Sequence, residues 1–224
     1  MPSSLLTRLL DLLYPPRCVI CGCFLPSGDK QLCEKCRALP DQSRTIRIEN
    51  AKFRECVAAL PYREPYRTSL LHYKFYNCSF YVRVYGPILA AAVISRLSGQ
   101  FDLITYVPLS RRRRRKRGYD QAKLLAEAVG REVGTEVVCT LEKTKHIPAQ
   151  SIQPDAKARK KNIQGVYRAK NQGLFEGKRV LLIDDIMTTG STLSEAAGEL
   201  RRNGAKAVVC AALAATEHSF RTLT

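Results

Sequence analysis

The second half of the chain alternates short apolar runs with segments whose apolar residues recur at helical spacing. One such segment places Leu125 and Val129 on the same helix face. The pattern predicts strands and helices in alternation: strands over Asp102–Val107, Glu136–Leu141, Arg179–Ile183 and Ala205–Ala215, and helices over Tyr119–Val133 and Ser191–Asn203. This alternation predicts an α/β fold with a mostly parallel twisted sheet and helices on both faces.

The first hundred residues are less regular. They predict a strand over Glu55–Tyr62 and helices over Tyr66–Tyr76 and Val82–Leu97, after a polar stretch at 37–54. Residues 1–17 read as an amphipathic helix, because Arg8 and Asp11 interrupt its leucines. We therefore divide the chain into an N-terminal helix (1–17), a cysteine module (18–40), a linker and helical segment (41–100) and a core domain (101–224).

Cysteine spacing identifies the small module. The pairs Cys18-x2-Cys21 and Cys33-x2-Cys36 are eleven residues apart, and each pair sets two thiolates on one turn. Two such turns supply a closed tetrahedral site for structural Zn²⁺. Cys23 offers a second register, but its spacing does not match the other pair. A redox pair and an iron–sulfur cluster are the alternatives. We expect the chain to remain in the cytosol, where thiols stay reduced, and to have no membrane span.

The segment Val180–Leu193 carries the most specific chemistry. Its apolar strand ends at Asp184 and Asp185, and a hydroxyl-rich turn then starts a helix: Thr188, Thr189, Gly190, Ser191 and Thr192. A helix N-terminus offers free N–H groups to a phosphate, while carboxylates accept hydrogen bonds from sugar hydroxyls. The segment therefore predicts a site for a ribose 5-phosphate. The bland alternative is a capped helix with two solvated aspartates.

A basic run follows the strand at Asp102–Val107. The net charge of the chain is +17, and Arg111–Arg117 reads RRRRRKR. Arginine pairs with phosphate oxygens through its planar fork, so we expect some of these side chains to contact a pyrophosphate or a nucleic acid. The candidates are Arg111, Arg115, Arg117, Gly118 and Gln121, together with Arg159 in the polar loop at 143–168. An exposed basic patch is the alternative.

The strand–acid–turn segment resembles the signature of type I phosphoribosyltransferases. The resemblance implies that the fold binds 5-phosphoribosyl 1-pyrophosphate (PRPP) with Mg²⁺. It assigns the ribose hydroxyls to Asp184 and Asp185, the catalytic pair, and the 5-phosphate to residues 188–192. It also places a variable hood within residues 55–97, and near the site it places an element similar to His72–Phe75. Lys74 would then contact a ligand or remain an exposed helix lysine.

The basic arm narrows the resemblance to one branch. Val107-Pro108-Leu109 followed by Arg117-Gly118-Tyr119-Asp120-Gln121 is similar to the ComF/GntX pattern, in which Phe and Asn replace Tyr119 and Asp120. The similarity also includes the cysteine module, and it covers nearly the whole chain. It implies a PRPP-binding protein of DNA uptake that handles single-stranded DNA, with DNA-uptake or recombination proteins as partners. The alternative is an active phosphoribosyltransferase of nucleotide metabolism that uses a small nucleophile. Activity and oligomeric state stay open.

Overall fold

The computed structural model describes residues 15–26, 31–144 and 165–216. Nearly all of the predicted N-terminal helix and the predicted contact residue Arg159 lie outside the described residues. The described elements follow in chain order. They are α1 (Glu34–Arg37), β1 (Arg44–Ile46), β2 (Cys56–Pro61), α2 (Tyr66–Phe75), a 3₁₀ turn (Ser79–Tyr81), α3 (Val82–Leu97), β3 (Leu103–Tyr106), α4 (Arg111–Arg117), α5 (Gln121–Val133), β4 (Leu141–Lys143), β5 (Tyr167–Ala169), a 3₁₀ turn (Gln172–Leu174), β6 (Arg179–Met187), α6 (Ser191–Arg202) and β7 (Ala207–Ala215).

Five strands form the central sheet in the order β1-β2-β7-β6-β3, and β1 alone in this sheet runs antiparallel to its neighbour. The sheet is apolar on both faces because successive side chains point to opposite sides. On β6, Leu181 and Ile183 enter the core beneath α3 and α5, whereas Val180 and Leu182 enter the core beneath α6. The prediction of an α/β fold with a mostly parallel sheet is confirmed.

Two strand predictions needed correction. The stretch Glu136–Leu141 is not a continuous strand. Val137 alone bridges Ile104, and the chain then leaves the central sheet so that β4 can pair with β5. The second correction concerns β6, which continues past Ile183 to Met187 because β7 keeps pairing with it as far as Ala215.

Residues before 101 contribute directly to the central sheet. Strands β1 and β2 extend it beside β7, although they lie in the segment predicted as linker and hood. The cysteine module also packs on this part of the chain. Its Val19 and Ile20 are buried in the same apolar cluster as Leu70 of α2 and Tyr85 of α3. The Ser69 hydroxyl contacts the Val19 carbonyl oxygen, which ties α2 to the module.

One described segment, Ser79–Leu97, is long and apolar enough to cross a bilayer by length and composition, with a mean hydropathy of 1.3. Helix α3 forms most of this segment and packs against β2 and α5. The close approach to α5 depends on Gly86, because a Cβ there would lie 2.5 Å from the Ala128 Cβ. We therefore interpret α3 as a core helix of the α/β domain.

Candidate phosphate-binding site

Unequal strand lengths open the site. Strand β3 pairs with β6 only as far as Ile183, whereas β6 and β7 stay paired to Met187. Within the described part of the chain, the last four residues of β6 therefore have no strand neighbour on the β3 side, and a cavity of about 470 Å³ occupies this edge. Asp184 and Asp185 line the cavity from within β6. Ligands of open α/β sheets bind at this carboxyl edge.

The turn after β6 keeps donors available. Across residues 15–26, 31–144 and 165–216, no acceptor faces the N–H groups of Thr189, Gly190 and Thr192. The Ser191 N–H makes only a long bond of 3.4 Å to Thr189 Oγ1. Helix α6 starts directly at this turn, so its positive dipole end points the same way. The arrangement suits a phosphate group.

Gly190 is required here for two reasons. Its φ of 72° lies in the left-handed region, which favours glycine. In addition, a Cβ at this position would lie 2.4 Å from Ile48 Cδ1. The loop after β1 therefore packs on the turn and fixes its backbone.

The two aspartates are in different electrostatic states. The Lys74 ammonium lies 2.9 Å from Asp185 Oδ1, and both side chains are largely buried. Asp184 has no comparable partner in the described part of the chain, and its Oδ1 accepts only the Asp185 N–H, at 2.8 Å. Burial, followed by the charge of the Asp185 carboxylate, raises the pKa of Asp184 well above its usual range. Ligand hydroxyls or a cation would stabilise the ionised form.

Cations line the same cavity as the acids. They come from three elements: Lys74 of α2, Arg113, Lys116 and Arg117 of α4, and Lys143 of β4. Burial lowers the pKa of Lys143, and the nearby charge of Arg113 lowers it further. Its Nζ also contacts the Tyr167 hydroxyl at 3.3 Å. A group with two or more negative charges would relieve the repulsion among these cations.

The predicted contacts of the basic arm do not all face the cavity. Arg117 and Gln121 line it, whereas Arg111, Arg115 and Gly118 lie outside its lining. Helix geometry explains the difference, because Arg113, Lys116 and Arg117 share one face of α4 at spacings of three and four. Ser110 starts α4, since its side chain accepts the Arg113 N–H. Ser110 was therefore the sequence signal that a helix starts here. Helical spacing would then have grouped Arg113 with Lys116 and Arg117, and the prediction did not include Arg113.

Other lining residues also escaped prediction. Lys143 and Tyr167 sit on a two-stranded ribbon that apolar periodicity did not mark. Asp120 was identified only as part of the ComF/GntX pattern and not as a site residue. Its side chain starts α5 by accepting the Lys123 N–H, and it also accepts the Leu109 N–H at 2.8 Å. Within the predicted turn, residues 188 and 190–192 line the cavity, and Thr189 Oγ1 instead contacts Ser191 Oγ at 2.8 Å.

The cysteine module has the geometry of a metal centre. The thiol sulfurs of Cys18, Cys21, Cys33 and Cys36 all lie within 4.8 Å of one another. The Cys21 and Cys33 sulfurs are 3.7 Å apart. Tetrahedral zinc with Zn–S bonds of about 2.3 Å places its sulfurs roughly 3.8 Å apart. Four thiolates fit structural zinc, and the group does not include Cys23.

Family comparisons agree with both parts of the structure. The phosphoribosyl transferase domain matches residues 86–221, more than half of the chain. The double zinc ribbon domain matches residues 9–44. The chain belongs to the phosphoribosyl transferase domain family. Its zinc module and its relatives place it in the ComF branch of that family.

Three curated relatives illustrate the similarity. Competence protein F of Haemophilus influenzae is 33% identical over 66% of this chain and 66% of its own length. Competence protein ComFC of Bacillus subtilis is 25% identical over 86% of this chain and 74% of its own length. DNA utilization protein YhgH of Escherichia coli K12 is 34% identical over 48% of this chain. The match spans 46% of the length of YhgH.

A first prediction concerns zinc in this ComF-family chain. Cys21 and Cys23 are both exposed and two residues apart. Replacing either one therefore removes an exposed thiol from the same turn at little packing cost. We expect Cys21→Ser to lose most of the bound zinc, and Cys23→Ser to keep it, as measured by elemental analysis of purified protein. Equal zinc content in the two variants would contradict the four-cysteine assignment.

A second prediction concerns the turn. We expect Gly190→Ala to lower the free energy of unfolding by about 2 kcal/mol, because strain at positive φ adds to the cost of displacing the end of the Ile48 side chain. Urea denaturation measures the change. Gly134→Ala is the matched control, since its φ is 65° and its Cβ would meet no described atom within 4 Å. It should cost only about 1 kcal/mol, and an equal cost at both positions would show that Ile48 adds nothing.

A third prediction follows from the raised pKa of Asp184. The unfolded chain releases this proton near pH 4, whereas the folded protein holds it to about pH 8. Stability should therefore fall as pH rises through this window. Because asparagine cannot ionise, Asp184→Asn should raise the melting temperature at pH 8.5 by roughly 3 °C, and by less at pH 5.

Asp102→Asn provides a control of opposite sign. The hydrogen bonds from Arg179 lower the pKa of Asp102 to about 2, so its carboxylate stabilises the fold above the unfolded pKa near 4. This variant should lower the melting temperature at pH 8.5. A gain for Asp184→Asn that does not change between pH 5 and pH 8.5 would show that titration of Asp184 is not its cause.

Proposed function

We propose that the cavity binds the 5-phosphoribosyl group of PRPP or a closely similar sugar phosphate. One observation carries the proposal: Gly190 and Thr192, whose N–H groups meet no acceptor among the described residues, line the same cavity as Asp184 and Asp185. The N–H groups suit a phosphate and the carboxylates suit ribose hydroxyls. The spacing of these groups along β6 and α6 matches the order of groups in the ligand.

The cations give the ligand its direction. With the 5-phosphate on the turn and the ribose beside the aspartates, the lining also offers Arg117, Lys143 and Lys74, which pairs with Asp185, to the pyrophosphate. Mg²⁺ prefers carboxylate and phosphate oxygens, so Asp184 and Asp185 are the residues that would hold it with the ligand. In the absence of ligand, Lys74 partly neutralises the acid pair.

We further propose that the protein acts in the cytosol. Its proposed role is in DNA utilization or competence, the terms that the names of its relatives contain. The net charge of +17 supports a polyanionic partner. The exposed cations of α4 support contact with a single DNA strand, and proteins of DNA uptake or recombination are the expected partners. In this proposal the zinc module stabilises residues 18–40, which are too few to build a core alone.

A second candidate is an active phosphoribosyltransferase. The cluster of Lys74, Arg117 and Lys143 favours it, because preorganised cations stabilise negative charge that develops on a leaving pyrophosphate. The nucleophile would be a small molecule that reaches the ribose from the open side of the cavity. Release of pyrophosphate from PRPP, measured with candidate acceptors, distinguishes turnover from binding alone.

Calorimetry with PRPP and Mg²⁺ tests the binding proposal. We expect wild-type protein to bind, and Asp185→Ala to weaken binding by at least tenfold, because it removes a ribose contact and leaves Lys74 unpaired. Glu132→Ala removes an exposed acid on α5 outside the cavity lining, and it should bind as wild type does. Wild-type protein that fails to bind PRPP would overturn the proposal.

A further inference from the structure

Three large aromatic side chains are exposed in one short stretch. Phe75 and Tyr76 end α2 with 60% and 69% of their surface accessible, and Phe80 follows with 51%. Such side chains usually turn inward, so three exposed rings within six residues require explanation. Their neighbour in space is the cationic helix α4.

Two contacts join this stretch to α4. The Arg117 guanidinium carbon lies 4.6 Å from the centroid of the Phe75 ring, within cation–π range. Arg117 is held there by a hydrogen bond from its Nη1 to Gln121 Oε1 at 3.0 Å. Gly118, which ends α4, lies beside Asn77, since a Cβ on Gly118 would be 3.8 Å from Asn77 Oδ1. Phe75 therefore contacts the basic helix directly, and Tyr76 lies between the two residues of this stretch that border α4.

The charge of this basic helix has one sign. Helix α4 consists of seven cationic residues with no acid and no apolar side chain. Five of them are exposed: Arg111, Arg112, Arg114, Arg115 and Lys116. Helices that lie in a membrane surface carry an apolar face for insertion, which α4 lacks. Phosphates are the natural counterions of such a helix, and arginine pairs with them in a defined geometry.

We propose that Phe75, Tyr76 and the exposed face of α4, together termed the aromatic–arginine ridge, bind single-stranded nucleic acid. Exposed rings stack on unpaired bases, while adjacent cations follow the sugar–phosphate backbone. A duplex hides the faces of its bases and could use only the cations. The inference rests on the proposed role in handling a single DNA strand and names the surface that performs it.

The ridge continues into the mouth of the cavity. Phe75 and Lys116 belong both to the ridge and to the cavity lining, whereas Tyr76 does not line the cavity. A strand held on the ridge therefore passes directly over the phosphate-binding site. Tyr76 separates the two activities experimentally, because its removal affects the ridge without altering the cavity wall.

The test measures binding of a fluorescently labelled oligothymidylate of about 15 nucleotides by anisotropy, over a series of salt concentrations. Because loss of one stacked base costs about 1–3 kcal/mol, Tyr76→Ala should weaken binding at least fivefold with an unchanged salt slope. Tyr76→Phe should restore the affinity. Arg114→Ala combined with Arg115→Ala should reduce the salt slope by about 1.4, which corresponds to two lost phosphate contacts.

Leu174→Ala is the matched control. Leu174 is also exposed, at 49%, but it precedes β6 at the opposite end of the sheet. It should leave oligonucleotide affinity unchanged. An equal effect of Leu174→Ala and Tyr76→Ala, or no effect of Tyr76→Ala, would overturn the inference. Preferential binding of vesicles with anionic lipid over the oligonucleotide would also overturn it and identify a membrane surface instead.

PRPP calorimetry on the same proteins separates the two proposals. Tyr76→Ala should bind PRPP as wild type does, because Tyr76 does not line the cavity. If wild-type protein binds PRPP but no oligonucleotide, the ridge proposal fails and the cavity proposal stands. If it binds the oligonucleotide through Tyr76 but no PRPP, the ridge proposal stands and the cavity proposal fails.

Discussion

Strand β6 continues for four residues beyond the last pairing with β3 while β7 stays beside it. This difference in length leaves one side of β6 open and creates the cavity in which all the proposed sugar-phosphate chemistry is located. It also places two successive acidic residues on a rigid strand at the edge of this cavity. Burial, followed by the charge of Asp185, raises the pKa of Asp184, so ionising this side chain is a local cost to stability of the kind common at binding sites.

The surrounding charges offset that cost from several directions. Lys74 comes from α2, Arg117 from α4 and Lys143 from β4, so the cavity depends on elements that are distant in sequence. Gln121 connects two of them, since its side chain accepts a hydrogen bond from Arg117 and its carbonyl oxygen accepts one from the Tyr73 hydroxyl at 3.1 Å. Helix α2 also contacts the cysteine module through Ser69. The cysteine module is therefore joined to the site by one short helix, α2. The module thus has a structural role close to the cavity.

Much of the fold was predictable because it depends on local patterns. Apolar runs of β6 and β7, the helical spacing of α5 and the two Cys-x2-Cys pairs each describe structure within a few residues. The extent of β6 was not predictable, because it is set by pairing with β7. The reduction of the predicted strand at 136–141 to a single bridge at Val137 was not predictable either. It arises because the chain there leaves the sheet to form the β4–β5 ribbon.

The sequence by itself determined the chemistry of this protein: the acid pair, the hydroxyl-rich turn around Gly190, the cysteine ligands and the excess of positive charge. The tertiary structure alone decided which cations face the acids, how Ile48 restricts the turn and that Phe75 and Tyr76 are exposed beside α4. The physical reason is that residue type and short-range spacing fix what a group can bind. Which other groups lie beside it depends on the packing of helices and strands that are far apart along the chain.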